Sequence, residues 1–281
     1  MSGVIIVHGG VGAKGRSLEE MNDVASKSKD DDPLKTVVNA VRYMENDQRF
    51  NAGTGSVIRI DGSIEMDAAV AIPGSFGSVI NIERVKNPVL VALDVMEKTP
   101  HIALAGSGAI DFARRSGYPD YDPVTEKARV AYKKMVDAIK DKTNTEERYL
   151  TIKKLIDDGL VEEPHDTVGA VAYVNGKFAA AVSTGGASPM MPGRVGDVPL
   201  IGAGIYCGLN GAVVATGLGE EIAKKLLCYR IYSRIGEGPL NRILMEEIDN
   251  MEGKLAGVIA VSRKEYGFFS NGAMPIDTFQ F

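Results

Sequence analysis

Histidine and cysteine are scarce in this chain. His8, His101 and His165 are the only histidines, and none lies in a recognisable metal or triad motif, so zinc chemistry or Ser-His-Asp catalysis has little to build on. The two cysteines, Cys207 and Cys228, make neither a metal-ligand spacing nor a disulfide framework, and such low usage fits a reducing compartment. No run reaches the roughly 20 apolar residues that span a bilayer. The opening residues, MSGVIIVHGG, carry no basic n-region before their short apolar run, so a cytoplasmic protein without a signal peptide is expected. Basic clusters are missing, and the net charge of −5 argues against a nucleic-acid footprint. What remains is 44% hydrophobic and 25% charged, an ordinary composition for a soluble globular protein. At 281 residues the chain suits one large domain or two ordinary ones.

Periodicity supplies the elements. VIIVH predicts a strand entering a glycine turn, followed by a polar helix over 17–28. Pro33 suits a first helical position, with Val37, Val38, Val41 and Met44 behind it at helical spacing. From Ser56 the period is that of strands: VIRID, a turn at Asp61-Gly62, SIEMDAAVAI, then a short strand at 78–82. Helices are expected over VLVALDVMEK, over 107–115, and in the charged stretch 123–157, which reads as a solvated helix and a connector. Next, TVGAVAYV, Asn175-Gly176 and KFAAAVST form a hairpin with a type I′ turn signal. Its small alternating residues suit strands covered closely on both faces. Strands follow at 211–216, 257–262 and 267–270, with helices over 219–234 and 239–252. Strands joined by tight turns imply antiparallel sheets whose faces the helices must cover. The expectation is a layered α/β sandwich with antiparallel sheets, not a doubly wound parallel sheet.

One motif points elsewhere. GVGAKG at 10–15 matches the dinucleotide fingerprint, and the acids Asp30 to Asp32 follow at a suitable distance. The fingerprint needs those acids at the end of a second parallel strand, however. They lie in the polar run KSKDDDP, directly before another helix, so a tight glycine turn is the better reading.

The chemistry gathers around HDTVGAVAYV at 165–174. Cutting the Asp166–Thr167 bond would give Thr167 a free α-amine beside its own hydroxyl, a nucleophile and base in one residue. STGG at 183–186 ends the return strand of the hairpin and brings Thr184 back towards Thr167. PGRVGDVP at 192–199 sets Arg194 and Asp197 three residues apart on a glycine-rich loop, suited to the carboxylate and ammonium of an α-amino acid. VATGLGEE at 214–221 ends a strand and opens a helix, so the Thr216 hydroxyl and the Gly217 N–H are placed to face an oxyanion. FNAGTGSV at 50–57 adds Asn51 in a glycine-flanked loop.

Together, HGG at 8–10, FNAGTGSV, DTVGAV, STGG, GRVGD and TGLGE resemble the N-terminal-nucleophile hydrolases of the plant-type (type 2) L-asparaginase and isoaspartyl peptidase group, over essentially the whole chain. The resemblance implies a single domain with a four-layer αββα sandwich. It implies self-cleavage before Thr167, leaving an α chain of 1–166 and a β chain of 167–281, and a dimer of such αβ units. By the same resemblance Thr167 is the nucleophile and Thr184 contacts and tunes it. Arg194 holds the substrate α-carboxylate and Asp197 its α-amine. Thr216 and Gly217 form the oxyanion hole, and Asn51 sits beside the nucleophile. No catalytic cofactor is implied. A structural sodium ion is, on backbone carbonyls of the loop from Met44 to Thr54 (Met44, Glu45, Asp47, Phe50, Ala52 and Thr54).

Two positions depart from the pattern. Asp166 stands where the family often has glycine, a form shared with glycosylasparaginases and the threonine endopeptidase taspase, and Val198 replaces the usual serine or threonine. The expected reaction is hydrolysis of L-asparagine and β-aspartyl dipeptides to release aspartate. A glycosylasparaginase-like amidase, a taspase-like endopeptidase and an unprocessed binding protein remain as alternatives.

Overall fold

The computed structural model describes residues 3–12, 21, 23–140 and 167–281. Among these residues the strands form two sheets. β1 (Gly3–His8), β2 (Met66–Ile72), β3 (Ser75–Ile82), β4 (Ala103–Ala105), β5 (Val168–Val174), β6 (Lys177–Thr184) and β11 (Ile276–Gln280) lie in the order β11-β1-β5-β6-β2-β3-β4. β7 (Ile205–Gly208), β8 (Gly211–Gly217), β9 (Ala256–Ser262) and β10 (Tyr266–Ser270) make the second, in the order β10-β9-β8-β7. All the neighbouring pairs are antiparallel except β3 with β4.

Side-chain alternation creates the layers. Successive residues of a strand point to opposite faces. Val4 and Ile6 therefore join Val171, Val182, Val214 and Ile259 in a core between the sheets. Ile5, Val7, Ala170 and Ala172 point the other way, onto α2 (Pro33–Glu45) and α3 (Pro88–Lys98). On the far side, Val213, Ala215, Val258 and Ala260 pack on α7 (Leu227–Ser233) and α8 (Leu240–Asp249). Helix, sheet, sheet and helix make the expected four layers. The shorter α1 (Val24–Lys27), α4 (Gly106–Arg115), α5 (Glu126–Lys140) and α6 (Gly219–Lys225) complete the described elements. None of the described helices is long and apolar enough to cross a membrane.

Local chemistry explains several boundaries. Asp32 caps α2 through its carboxylate, which accepts from Leu34 N at 3.0 Å, and Pro33 occupies the first turn. Asn175 and Gly176 both take positive φ, 50° and 81°, as a two-residue type I′ turn requires. β5 and β6 are buried on both faces, which their alanines and glycine permit.

Three expectations are corrected. VIRID is not a strand: its backbone turns at Asp61-Gly62, where Arg59 N donates to Ser63 O at 2.8 Å and Ile60 N to Met190 O at 3.1 Å. The peptide groups that a ladder would use are thus committed to a turn and a distant loop. The 219–234 helix breaks into α6 and α7 because Leu226 adopts φ 49°. The break lets Cys228 N and Tyr229 N bond to Ala203 O and Gly202 O in the loop before β7. Within the helix expected over 17–28, the described residues are α-helical only at Val24–Lys27 in α1, with Met21 in a 3₁₀ turn. Residues 13–20, 22 and 141–166 lie outside the described set, and with them most of GVGAKG, the end of the 123–157 stretch, and Asp166. β1 has antiparallel neighbours on both sides, so the dinucleotide βαβ unit is not built.

Candidate active site

One end of the sandwich collects the strand termini that carry polar residues. Val168 pairs with Ser183 across β5 and β6, which sets Thr167, one residue before β5, level with Thr184 at the end of β6. Thr184 in turn pairs with Asp67 on β2. β1 ends at the same edge, with His8 opposite Gly169. The chain leaving β1 reaches the second sheet, where Val11 N donates to the Thr216 hydroxyl at 3.3 Å near the end of β8. Thr167, Thr184 and Thr216 are all buried.

The turn after β6 is held by Asn51. Asn51 Nδ2 donates to Gly186 O at 2.6 Å, its Oδ1 accepts from Val57 N at 3.0 Å, and its carbonyl accepts from Gly185 N at 2.9 Å. Gly186 N donates to Thr184 Oγ1 at 3.0 Å. Gly185 must be glycine, because a Cβ there would collide with Asn51 Oδ1 and Ser56. Asn51 therefore acts on the backbone around Thr184, and a direct contact with Thr167 is not what positions it.

Arg194 and Asp197 come together with the start of α6. A Cβ on Gly219 would lie 2.7 Å from Asp197 Oδ1 and 3.0 Å from Arg194 Nη2, and one on Gly196 would lie 2.8 Å from Arg194 Nη1. The two glycines thus keep open the space over which both charged groups look. Asp197 is buried, and its Oδ2 accepts no hydrogen bond among the described residues. Burial raises its carboxyl to about 7, against the pull of the Arg194 charge. Arg194 is not tied up by Asp197. Its Nε and Nη2 donate to the two carboxylate oxygens of Glu220, each at 2.8 Å, and the other guanidinium edge faces Gly196. Gly217 has φ 140° and stands against Leu255 O and Ala256 Cα, so only glycine fits the bend that ends β8. A cavity of about 610 Å³ opens beside Arg194, between Pro189, Met190, Met191, Leu218, Glu220 and Lys254.

Four further residues of this region carry no role in the sequence reading. Glu220 is the partner of Arg194; it sits inside TGLGE, but nothing in sequence separation ties it to residue 194. His8 is fully buried between the Thr167 backbone and Gly169, where a Cβ would strike its Nε2. Burial lowers its imidazole to about 3, against the opposing pull of the Thr167 backbone, so it is neutral. Asp67 lies on β2 beside Thr184, and Arg59 beneath residues 191–194. Both were hidden in segments whose alternation marks them only as strand.

Comparison with known proteins gives a consistent result. The family model described as "Asparaginase" matches residues 1–271. The plant-type L-asparaginase of Pyrococcus abyssi is 40% identical over 238 residues, covering 79% of this chain and 76% of the relative. The isoaspartyl peptidase of Escherichia coli is 32% identical over 300 residues, 98% of this chain and 90% of the relative. The isoaspartyl peptidase/L-asparaginase of Mus musculus is 36% identical over 272 residues, 91% and 79%.

Proposed function

Since the chain belongs to the asparaginase family of hydrolases, we propose that it hydrolyses L-asparagine and β-aspartyl dipeptides with Thr167 as nucleophile, after cutting itself before that residue. The observation that supports this reading is that the strand register sets Thr167 level with Thr184, while Arg194 and Asp197 both stand at Gly219, just after Thr216 and Gly217 at the end of β8.

In the first stage the Thr167 hydroxyl attacks the Asp166 carbonyl. The peptide C–N bond breaks, the Thr167 nitrogen takes a proton to become an amine, and water opens the resulting ester. The new α-amine, with an ordinary pKa of about 7.7–8.0, is a base suited to neutral pH. In the second stage that amine takes the hydroxyl proton of Thr167 as the oxygen attacks the substrate side-chain carbonyl. Thr216 Oγ1–H and Gly217 N–H receive the charge on the carbonyl oxygen. The leaving ammonia or amino acid takes the proton, and water then releases aspartate from the β-aspartyl ester. Arg194 and Asp197 orient the α-carboxylate and α-ammonium, and Thr184 and Asn51 fix the turn beside the nucleophile.

The order β11-β1-β5-β6-β2 supports cleavage without separation. β1 and β2 belong to the proposed first piece and β5, β6 and β11 to the second, so ladder hydrogen bonds join the pieces. The backbone closing on itself between the end of α2 and Gly55 supports a carbonyl cradle there. Thr54 N donates to Glu45 O at 2.8 Å, and a Cβ on Gly55 would lie 2.7 Å from both Gln48 O and Phe50 O. Hard carbonyl oxygens suit a hard cation. Sodium held by Met44, Glu45, Asp47, Phe50, Ala52 and Thr54 would stiffen the loop that carries Asn51, a structural role. A dimer of αβ units remains the proposed assembly.

A substrate panel tests the reading. L-Asparagine and a β-aspartyl dipeptide should both release aspartate, while N-glycosylated asparagine and longer α-linked peptides should not. Turnover confined to the glycosylated substrate, or to internal Asp-Xaa bonds of a protein, would favour the glycosylasparaginase or endopeptidase alternative.

A pH dependence follows from Asp197. The ionised carboxylate binds an α-ammonium, and the protonated form does not. With its carboxyl raised to about 7, the unliganded site takes up a proton as pH falls through that value. The inhibition constant of the product L-aspartate is therefore expected to rise by roughly tenfold per pH unit below 7, and to level off above it. Measuring this constant rather than the rate separates Asp197 from the titrating Thr167 amine. A constant that stays flat across that range would remove Asp197 from ammonium recognition.

A further inference from the structure

The loop that presents Arg194 and Asp197 has little regular structure of its own, yet its backbone is held at four points by one short segment of the chain. Arg59 is the largest fully buried side chain of the described residues. Its Nη1 donates to Met191 O at 2.7 Å and to Arg194 O at 3.2 Å, and its Nη2 donates to Arg194 O at 3.2 Å and to Asn81 Oδ1 at 2.9 Å. Its Nε pairs with Glu65 Oε2 at 2.9 Å, and the same carboxylate oxygen accepts from Gly193 N at 2.8 Å. Asp67, two residues further on, accepts from Asn81 N at 2.8 Å and meets the Gly196 amide. Met191, Gly193, Arg194 and Gly196 are thus each gripped through the main chain.

We infer that Arg59, Glu65 and Asp67 are positioning residues for substrate binding: they form a buried ionic cradle that sets the height and angle of the Arg194–Asp197 loop over the site. The inference rests on the proposed role of that pair as the substrate clamp. A guanidinium suits this task because its planar fork supplies several donors in fixed directions, where a lysine offers one compact charge. Removing the fork leaves the Met191, Arg194 and Glu65 carbonyls, the Asn81 amide oxygen and the Glu65 carboxylate short of a partner, and the loop must shift to recover them. A shift of about 1 Å at a binding group can cost roughly 100-fold. None of the three residues needs to touch substrate for this effect.

The test compares steady-state kinetics of the self-processed wild type with Arg59→Met, Arg59→Lys and Glu65→Gln, using a β-aspartyl dipeptide. Arg59→Met fills similar volume without donors. It should raise KM by roughly 10–100-fold while kcat stays within about threefold and self-cleavage proceeds. Arg59→Lys should recover only part of the loss, because the fork and not the charge is what the loop uses. Should Arg59→Met fail to fold, Glu65→Gln, at a less buried position, carries the same expectation with a smaller rise in KM of about 3–10-fold. Parallel losses of kcat, cleavage and thermal stability would make the cradle a general structural element and overturn the inference, as would an unchanged KM. Arg194→Ala serves as the internal reference. If it leaves KM unaltered, the clamp assignment itself fails; if it raises KM and the cradle variants do not, only the cradle fails.

Discussion

Thr167→Ala is expected to remain a single uncut chain and to lose turnover by about 10⁴-fold or more, since removal of a nucleophile costs that order of magnitude. Two separate roles disappear together. Without the hydroxyl there is no attack on the Asp166 carbonyl, and without the cut there is no α-amine at residue 167 to act as base. Intact mass and denaturing gels read the first loss, and aspartate release reads the second. Thr167→Ser discriminates further, because it keeps an attacking oxygen. Cleavage should continue slowly, and turnover should return in proportion to the cut fraction. A wild-type protein that stays whole and is still active on β-aspartyl substrates would end the autocatalytic account.

Arg194→Ala should separate binding from processing. The intramolecular cut requires no α-carboxylate, so self-cleavage should proceed at close to the wild-type extent. Substrate binding loses charge-assisted hydrogen bonds of about 1.5–3 kcal/mol each, and kcat/KM is expected to fall by roughly 10²–10³. The variant leaves Glu220 without this guanidinium, but Glu220 is 56% exposed on its side chain and water can solvate it. A marked cleavage defect as the principal effect would assign Arg194 to the architecture of the loop. The existing bidentate pair also means that an incoming carboxylate meets a guanidinium already half engaged, and must use its remaining edge or displace Glu220.

Features set by local patterns were legible in the sequence. The alternation in TVGAVAYV and KFAAAVST, with Asn175-Gly176 between them, was sufficient to place Thr184 beside Thr167. The layered sandwich of antiparallel sheets followed from hairpins that needed helices on their faces, and its four layers from the family resemblance. What escaped was settled by distant partners. VIRID alternates like a strand, but burial of the Arg59 guanidinium and the bond from Ile60 N to Met190 O decide otherwise. β4 and β11 are edge strands with partly exposed residues, and their pairing owes more to the neighbour than to their own sequence. β7, another edge strand, is only four residues long. The left-handed Leu226 has no sequence signal, because leucine rarely adopts that conformation. Within the site, the spacing of Arg194 and Asp197 suggested that they act together. It could not reveal that Glu220 holds the guanidinium or that Gly219 makes room for both.

The interleaved strand order has a thermodynamic consequence once the 166–167 bond is open. β1 lies between β5 and β11, so each fragment then completes a sheet that the other begins. Unfolding becomes dissociation, and its midpoint acquires a dependence on protein concentration that a continuous chain lacks. Refolding likewise becomes an encounter between two partners, each with an unsatisfied strand edge open to other pairings. The uncut chain folds as one molecule, and under the proposed cleavage the mature enzyme would inherit an arrangement that its separated parts would have to find by collision.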